Sequence, residues 1–522
     1  MNIDLMNSEP QTLEEALKKI NQLKLRLVEG RYENFCPIDV KYRHEELIPF
    51  LSFAAEARYC VKVHAALMKG LKKYGKATEQ NVKEMEEAVD KASPALIYEL
   101  EDKITHHDQQ AVIMSLRGVR TEQLEEAQKE ISEELHGYFA GLVSEDTARR
   151  IHPGTTSYDI LDTARSMMYK DAMTKVVIPE SKRLLKTLVD LAEQYAGTPE
   201  DKSSGRVQVG RTHGQHTSPI LFSYGIMNYA LRLEDRIEKL EKCTEELQGK
   251  VSGIVGTHAS IGAIIGLENA LEFERYALED ECHIKVCPVA SQIVWREKWS
   301  DLTHYLVTLD MPIADMANTM RQLQRSEIHE VGERMGEEKR GGSSADPGKS
   351  NPINFENTSG MFEVVLVSQS IMDHTAISES QRDLRNSVMQ RFEPVHATCE
   401  VYESIKRMNR VMSKLAVYPT GMDKNIKEAS KFGTAEALHA ILKSHLHPDP
   451  HESVRKLSLK ARREDRSLVD VALEDKEIKE YWNKFTDEEK LALTDFKTYI
   501  GVAHEKTWRE INRINQKWFP KN

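Results

Sequence analysis

Cysteine is scarce. The 522 residues hold six, at Cys36, Cys60, Cys243, Cys282, Cys287 and Cys399. None forms a C-x-x-C pair, and Cys282/Cys287 lacks a second pair at zinc-site spacing. A disulfide scaffold is thereby excluded, and the expected state is reduced thiols in a cytoplasmic protein. The N-terminal stretch has no basic segment followed by an apolar one, so no secretory signal is expected. No apolar run approaches the length of a membrane span, so no membrane partner is expected either. A surplus of basic charge is also missing. Against 72 Lys and Arg stand 83 Asp and Glu, a formal net charge of −11, which lacks the footprint of a nucleic-acid binder. Internal repeats and low-complexity tracts are absent, and alternating β-branched runs are few.

What the chain has is helical patterning. Hydrophobic residues make up 40 % and charged residues 30 %, enough apolar material for a core. Thr12 with Glu15 reads as a capping box, followed by Leu13, Ala16, Leu17, Ile20, Leu23 and Leu27 at helical spacing, ending near Gly30. A longer pattern runs from about Ser218 to Lys250. Others cover about Asp162–Tyr195, Asp301–Val331 and Met361–Gln381. The expected class is all-α, with long helices packed as a bundle. Glycine and proline break the pattern at 197–210, at 332–348 and at His447–His451. The second of these holds five glycines and is expected to be a mobile loop. A workable division is 1–150, 151–390 and 391–522.

Four islands carry residues suited to chemistry. The first, H-P-G-T-T-S-Y-D at 152–159, precedes a helix. A helix N-terminus suits an anion, and an ordinary capped start reads the same way. The second, G-R-T-H-G-Q-H at 210–216, offers His213 as an oriented acid or base, or as a structural histidine. Metal is the weaker reading there, because no third ligand follows at obvious spacing. The third, G-S-S-A-D-P-G-K-S-N-P at 342–352, can cradle a carboxylate or phosphate, and its backbone N–H groups can depress a serine pKa. It lacks P-loop spacing. The fourth, Q-R-D-L-R-N-S-V-M-Q-R at 381–391, places Arg382, Ser387 and Arg391 where they can converge on an anion, or where a solvated charged stretch pairs with Asp383 and Glu393.

In this order and spacing, the islands resemble the fumarase/aspartase superfamily. Its signature loop reads G-S-S-x-M-P-x-K-x-N-P, and 342–352 matches every fixed position except Asp346. Within the superfamily the chain is most similar to the adenylosuccinate lyase branch. R-T-H-G-Q at 211–215, P-I-N-F-E-N at 352–357, the Arg382/Ser387/Arg391 block and His107-Asp108 all match that branch. So do G-R-Y at 30–32 and K-V-S-G-I-V-G-T at 250–257. The resemblance spans roughly residues 30 to 450.

The resemblance implies a three-domain, all-α fold around a central long-helix bundle. It implies a homotetramer whose active sites are shared between subunits, with the 218–250 and 301–331 helices at the contacts. It implies a small-molecule nucleotide substrate and neither metal nor organic cofactor. Ser343 is the expected base, with Ser344 as the alternative, and His213 the expected acid. His107 is expected to orient the substrate and to support the acid, and Asp108 to bind the substrate. Thr156, Ser157, Thr212 and Gln292 bind polar groups. Lys349 and Asn351 stabilise the charged intermediate, and Arg31, Tyr32, Arg382, Ser387 and Arg391 hold the phosphate. The implied reaction is β-elimination releasing fumarate and AMP. It extends to the succinylated aminoimidazole carboxamide ribotide, an earlier purine intermediate.

Several features depart from the pattern. Asp346 stands where the branch has Met, and His216 where it has a small residue or Pro. The N-terminal helix and the tail with Trp482, Trp508 and Trp518 are additional. Rival readings are an argininosuccinate lyase or aspartase-like enzyme, and a silent homologue that kept only the fold.

Overall fold

The computed structural model describes residues 34–333 and 349–520. The expected first helix, with Arg31 and Tyr32, lies outside the described residues. So does most of the glycine-rich segment, including Ser343, Ser344 and Asp346. The chain divides into two compact units that interleave along the sequence. One comprises 1–172, 247–303 and 370–403, and the other 173–246, 304–369 and 404–522.

In the first unit the helix Phe53–Lys73 is the organising element. Ser52 caps it by accepting from the Ala55 amide at 3.1 Å. Tyr59, Val63, Leu67 and Leu71 recur every four residues and are all buried, so they form one apolar stripe. The helix packs against Glu79–Lys91 and Ser157–Ala172. Trp299 is fully buried, edge-on to Tyr169 at 5.4 Å, and its indole N–H reaches Ser166 Oγ at 3.1 Å. Arg296 pairs with Asp162 at 2.9 Å, a buried pair that leaves neither charge alone.

In the second unit, the helices Ile178–Tyr195 and Phe222–Thr244 pack along their length. Ile226, Ala230, Leu233, Ile237 and Leu240 alternate steps of four and three, the spacing of a single buried face. The helix Ala503–Trp518 packs on both. Its Arg513 Nη1 and Trp518 Nε1 converge on Glu234, at 2.9 and 2.8 Å. The turn expected at His447–His451 separates helices Ala435–Ser444 and Pro450–Glu464, the latter capped by Asp449.

The helical class is as expected, with boundaries that shift for local reasons. The pattern read from Asp162 to Tyr195 begins at Ser157 and runs through a wide turn at Met173–Val177. Pro179 follows that turn; it has no N–H to bond back, and the widened turn gives its ring room. The pattern read from Asp301 is the helix Glu297–Leu323, and that read from Met361 is Ile353–Thr375. The largest correction lies at 207–221. The helix expected from Ser218 starts only at Phe222. Before it, Val207–Thr212 and Gln215–Leu221 pair as an antiparallel hairpin. Val207 and Val209 are buried on one face, the period of a strand.

Among the described residues no helix is long and apolar enough to cross a membrane. None of the six cysteines is in a disulfide.

Candidate active site

The first unit gathers eight of the expected residues. His107 is the N-cap of helix Asp108–Arg117, and its Nδ1 accepts from the Gln110 amide at 3.4 Å. Its Nε2 lies 3.4 Å from Ser157 Oγ, so the H-D and T-S blocks meet. His107 Nδ1 also lies 3.4 Å from Asp108 Oδ1. Ser157 opens its helix, and the Thr156 amide donates to Asp159 at 2.7 Å. Asp159 is fully buried. It receives the Lys250 ammonium together with the Ser252 and Gly253 amides at 3.1 Å. A buried carboxylate needs such partners, and these anchor the T-S-Y-D turn to the 250–257 stretch.

The 381–391 block joins this group through Tyr158, which the sequence reading passed over. Arg382 Nη1 donates to Gln292 Oε1 at 3.0 Å. The Arg382 guanidinium lies 3.4 Å from the centre of the Tyr158 ring, a cation–π contact. The Tyr158 hydroxyl donates to Ser387 Oγ at 3.2 Å. Asp383 pairs with Arg385 at 2.6 Å, which leaves Arg382 to Gln292 and Tyr158. Asp108, Gln109, Tyr158, Ser387 and Arg391 line a cavity of about 1000 Å³ in this unit. That is within the range of sites that enclose a small molecule.

Two histidines behind this wall are held neutral. Burial pushes His152 down to about 4, with the His107 charge adding to the effect. Burial pushes His64 down to about 3, aided by His152, whose ring lies 5.5 Å away. His64 Nε2 sits 3.3 Å from Gln109 Oε1.

The second unit carries Thr212, His213, Lys349 and Asn351. The hairpin pairs Thr212 directly with Gln215, so His213 and Gly214 are its two turn residues. Both have positive φ, 54° and 74°, as a type I′ turn requires. The register shifts between Val209 and Arg211, where Gly210 alone faces Thr217 and Ser218, so the extra residue of the bulge lies on the second strand. A Cβ at Gly210 would stand 2.5 Å from the Ser218 carbonyl oxygen, which reserves the position for glycine. The bulge sets the pairing that puts His213 on the turn, with its side chain exposed. His216, paired across from Arg211, is lowered by burial and by the Arg211 charge. Lys349 is exposed and Asn351 half-buried, just before the helix Ile353–Thr375. Arg31, Tyr32 and Ser343 lie outside the described residues.

Sequence reasoning also missed Arg211. Its guanidinium makes two bonds to Glu330, at 2.7 and 3.1 Å. Both residues have strong local signals as charged groups, but 119 positions separate them. Among the described residues no three His, Cys, Asp or Glu side chains group as a metal site.

A family model described as Lyase matches residues 50–367. An adenylosuccinate lyase from Pyrococcus horikoshii is 33 % identical over 490 residues, covering 92 % of this chain and 98 % of that one. One from Archaeoglobus fulgidus is 27 % identical, with the same coverage of both. Among solved structures, a 3-carboxy-cis,cis-muconate lactonizing enzyme from Pseudomonas putida superposes with a TM-score of 0.73. It is 18 % identical and covers 92 % of this chain and 98 % of its own. A fumarate lyase from Mesorhizobium sp. BNC1 gives 0.71 at 18 % identity, over 90 % of this chain and 98 % of its own. These two speak for the fold. Taken with the islands that the fold positions, the family match and the 33 % identity across nearly the whole chain place the protein in the adenylosuccinate lyase family of the fumarase/aspartase superfamily.

Proposed function

We propose that the protein is a carbon–nitrogen lyase that cleaves adenylosuccinate to AMP and fumarate. It acts in the same way on the succinylated aminoimidazole carboxamide ribotide of purine biosynthesis. The observation that carries this reading is the 33 % identity, over 92 % of the chain, to a relative named for that reaction. The linked Gln292–Arg382–Tyr158–Ser387 group supports it, because a phosphate-bearing substrate gives such a cluster something to hold.

Ser343 takes the proton from the carbon beside a substrate carboxylate. The electron pair left behind spreads into that carboxylate, where Lys349 and Asn351 meet the developing charge. The pair then forms the carbon–carbon double bond of fumarate. The C–N bond breaks, and His213 supplies the proton to the leaving nitrogen. His107 and Ser157, 3.4 Å apart, orient the substrate with Thr156, Thr212 and Gln292. Arg31, Tyr32, Arg382, Ser387 and Arg391 hold the phosphate.

The active assembly is a homotetramer with shared sites. Met311, Val364, Leu366 and Val367, on helices of the second unit, are about half exposed, which suits faces that another copy covers.

Fumarate release from adenylosuccinate, argininosuccinate and aspartate tests the reaction, with Ser343→Ala and Ser344→Ala as separate variants. Release from adenylosuccinate alone, lost only with Ser343→Ala, is the expected result. Release from argininosuccinate instead would move the substrate, and loss with Ser344→Ala alone would move the base.

A further inference from the structure

The segment Glu330–Glu333 carries two buried carboxylates, each engaged with a different part of the second unit. Glu330 is 0 % exposed. Its two oxygens receive the Arg211 guanidinium end-on, from Nη2 at 2.7 Å and Nη1 at 3.1 Å. Asn425 Nδ2 donates to the same carboxylate at 2.7 Å and to the Ile328 carbonyl at 2.8 Å. The backbone is gripped as well. The Tyr418 amide donates to the Glu330 carbonyl at 2.9 Å, and the Tyr418 ring stacks on His329 at 4.4 Å. The helix Pro419–Gly433 comes so close that a Cβ at Gly421 would sit 1.9 Å from the His329 carbonyl oxygen. Three residues on, Glu333 accepts from the Phe355 amide at 2.9 Å and from Asn354 Nδ2 at 2.7 Å, at the start of helix Ile353–Thr375.

A buried ion pair stabilises little on balance, because desolvation offsets the attraction. This pair has a bidentate geometry and an added amide, which fix one arrangement of its parts. Arg211 is two residues before His213, at the base of a two-residue turn. Whatever holds Arg211 therefore sets where the imidazole can reach.

We propose that Glu330, acting through Arg211, is a positioning residue for His213. It registers the hairpin that bears the acid against the same four-residue segment whose Glu333 secures the start of the helix Ile353–Thr375. This rests on the reading of His213 as the acid. A misplacement of about 1 Å costs as much as a hundredfold in rate, so the clamp has kinetic weight without touching substrate.

Glu330→Gln removes the charge and keeps the shape. Expected is a fall in kcat of at least about tenfold, with KM for adenylosuccinate within about threefold. Hydrogen exchange at the amides of residues 211–216 is expected to quicken by about tenfold or more, because local opening becomes easier. A rise in KM with kcat unchanged would overturn the proposal, since Glu330 would then serve binding. Unchanged exchange at 211–216 in the folded variant would overturn it too. If Glu330→Gln does not fold, Glu330→Asp, which keeps the charge and shortens the arm, is read in the same two ways. If the wild-type protein leaves adenylosuccinate intact, the substrate assignment fails, and the exchange measurement alone decides the clamp.

Discussion

The Tyr158 hydroxyl donates to Ser387 Oγ at 3.2 Å, across 229 residues of sequence. This bond ties the first turn of the Ser157–Ala172 helix to the 381–391 block. The Arg382 guanidinium on the face of the same ring adds a second tie. Tyr158→Phe keeps the ring and removes the hydroxyl. A neutral hydrogen bond is worth about 1 kcal/mol net, so KM for adenylosuccinate should rise about three- to tenfold, with kcat changing less. Steady-state kinetics on the purified variant measure this. A change in kcat alone would separate Tyr158 from phosphate binding.

Arg391 lines the same cavity as Ser387. A hydrogen bond to a charged group contributes about 1.5–3 kcal/mol, so Arg391→Ala should raise KM by about ten- to a hundredfold. The loss should shrink for substrates without phosphate. An unchanged KM would remove Arg391 from the phosphate site.

Lys250 and Asp159 are both fully buried, and each charge depends on the other. Lys250→Met leaves the carboxylate with amide partners only. Removing one member of such a pair costs about 3–5 kcal/mol. Urea unfolding followed by tryptophan fluorescence should show the midpoint falling. A midpoint equal to the wild type would mean that the amides alone hold Asp159.

The pH dependence of stability follows from His64 and His152. Their folded pKa values, about 3 and about 4, lie below the ordinary 6.5. Above pH 6.5 both are neutral whether the chain is folded or not. As pH falls below 6.5, the unfolded chain binds protons that the folded one refuses, so stability is lost on acidification toward the folded values. Thermal midpoints recorded from pH 7 to pH 4.5 should fall more steeply for the wild type than for His64→Leu. Parallel curves would show that His64 titrates normally in the folded state.

Much of this site was legible in sequence order, and the reasons are local. The T-S-Y-D turn announced a helix start because Gly, Thr, Ser and Asp favour such positions. The helix from Phe222 was visible in the helical pattern read from about Ser218 to Lys250. The hairpin before it was misread because its second strand runs straight into that helical pattern. Its turn pair is His-Gly, whereas the familiar signal is Asn-Gly. Tyr158 and Ser387, or Arg211 and Glu330, leave no trace in any window, since nothing nearby in sequence marks a partner 229 or 119 positions away. Those contacts are made by tertiary packing alone.

The positive φ at His213 also bears on how its chemistry can be isolated. Alanine at this position would delete the imidazole and place a residue poorly suited to the left-handed region at the first corner of the turn. Its kinetic deficit would then mix the loss of the proposed proton donor with a relaxed backbone. Asparagine tolerates that region and forms, with the following glycine, the pair that type I′ turns favour. For the acid role proposed for His213, His213→Asn is thus the substitution whose rate loss reports the absent proton donor.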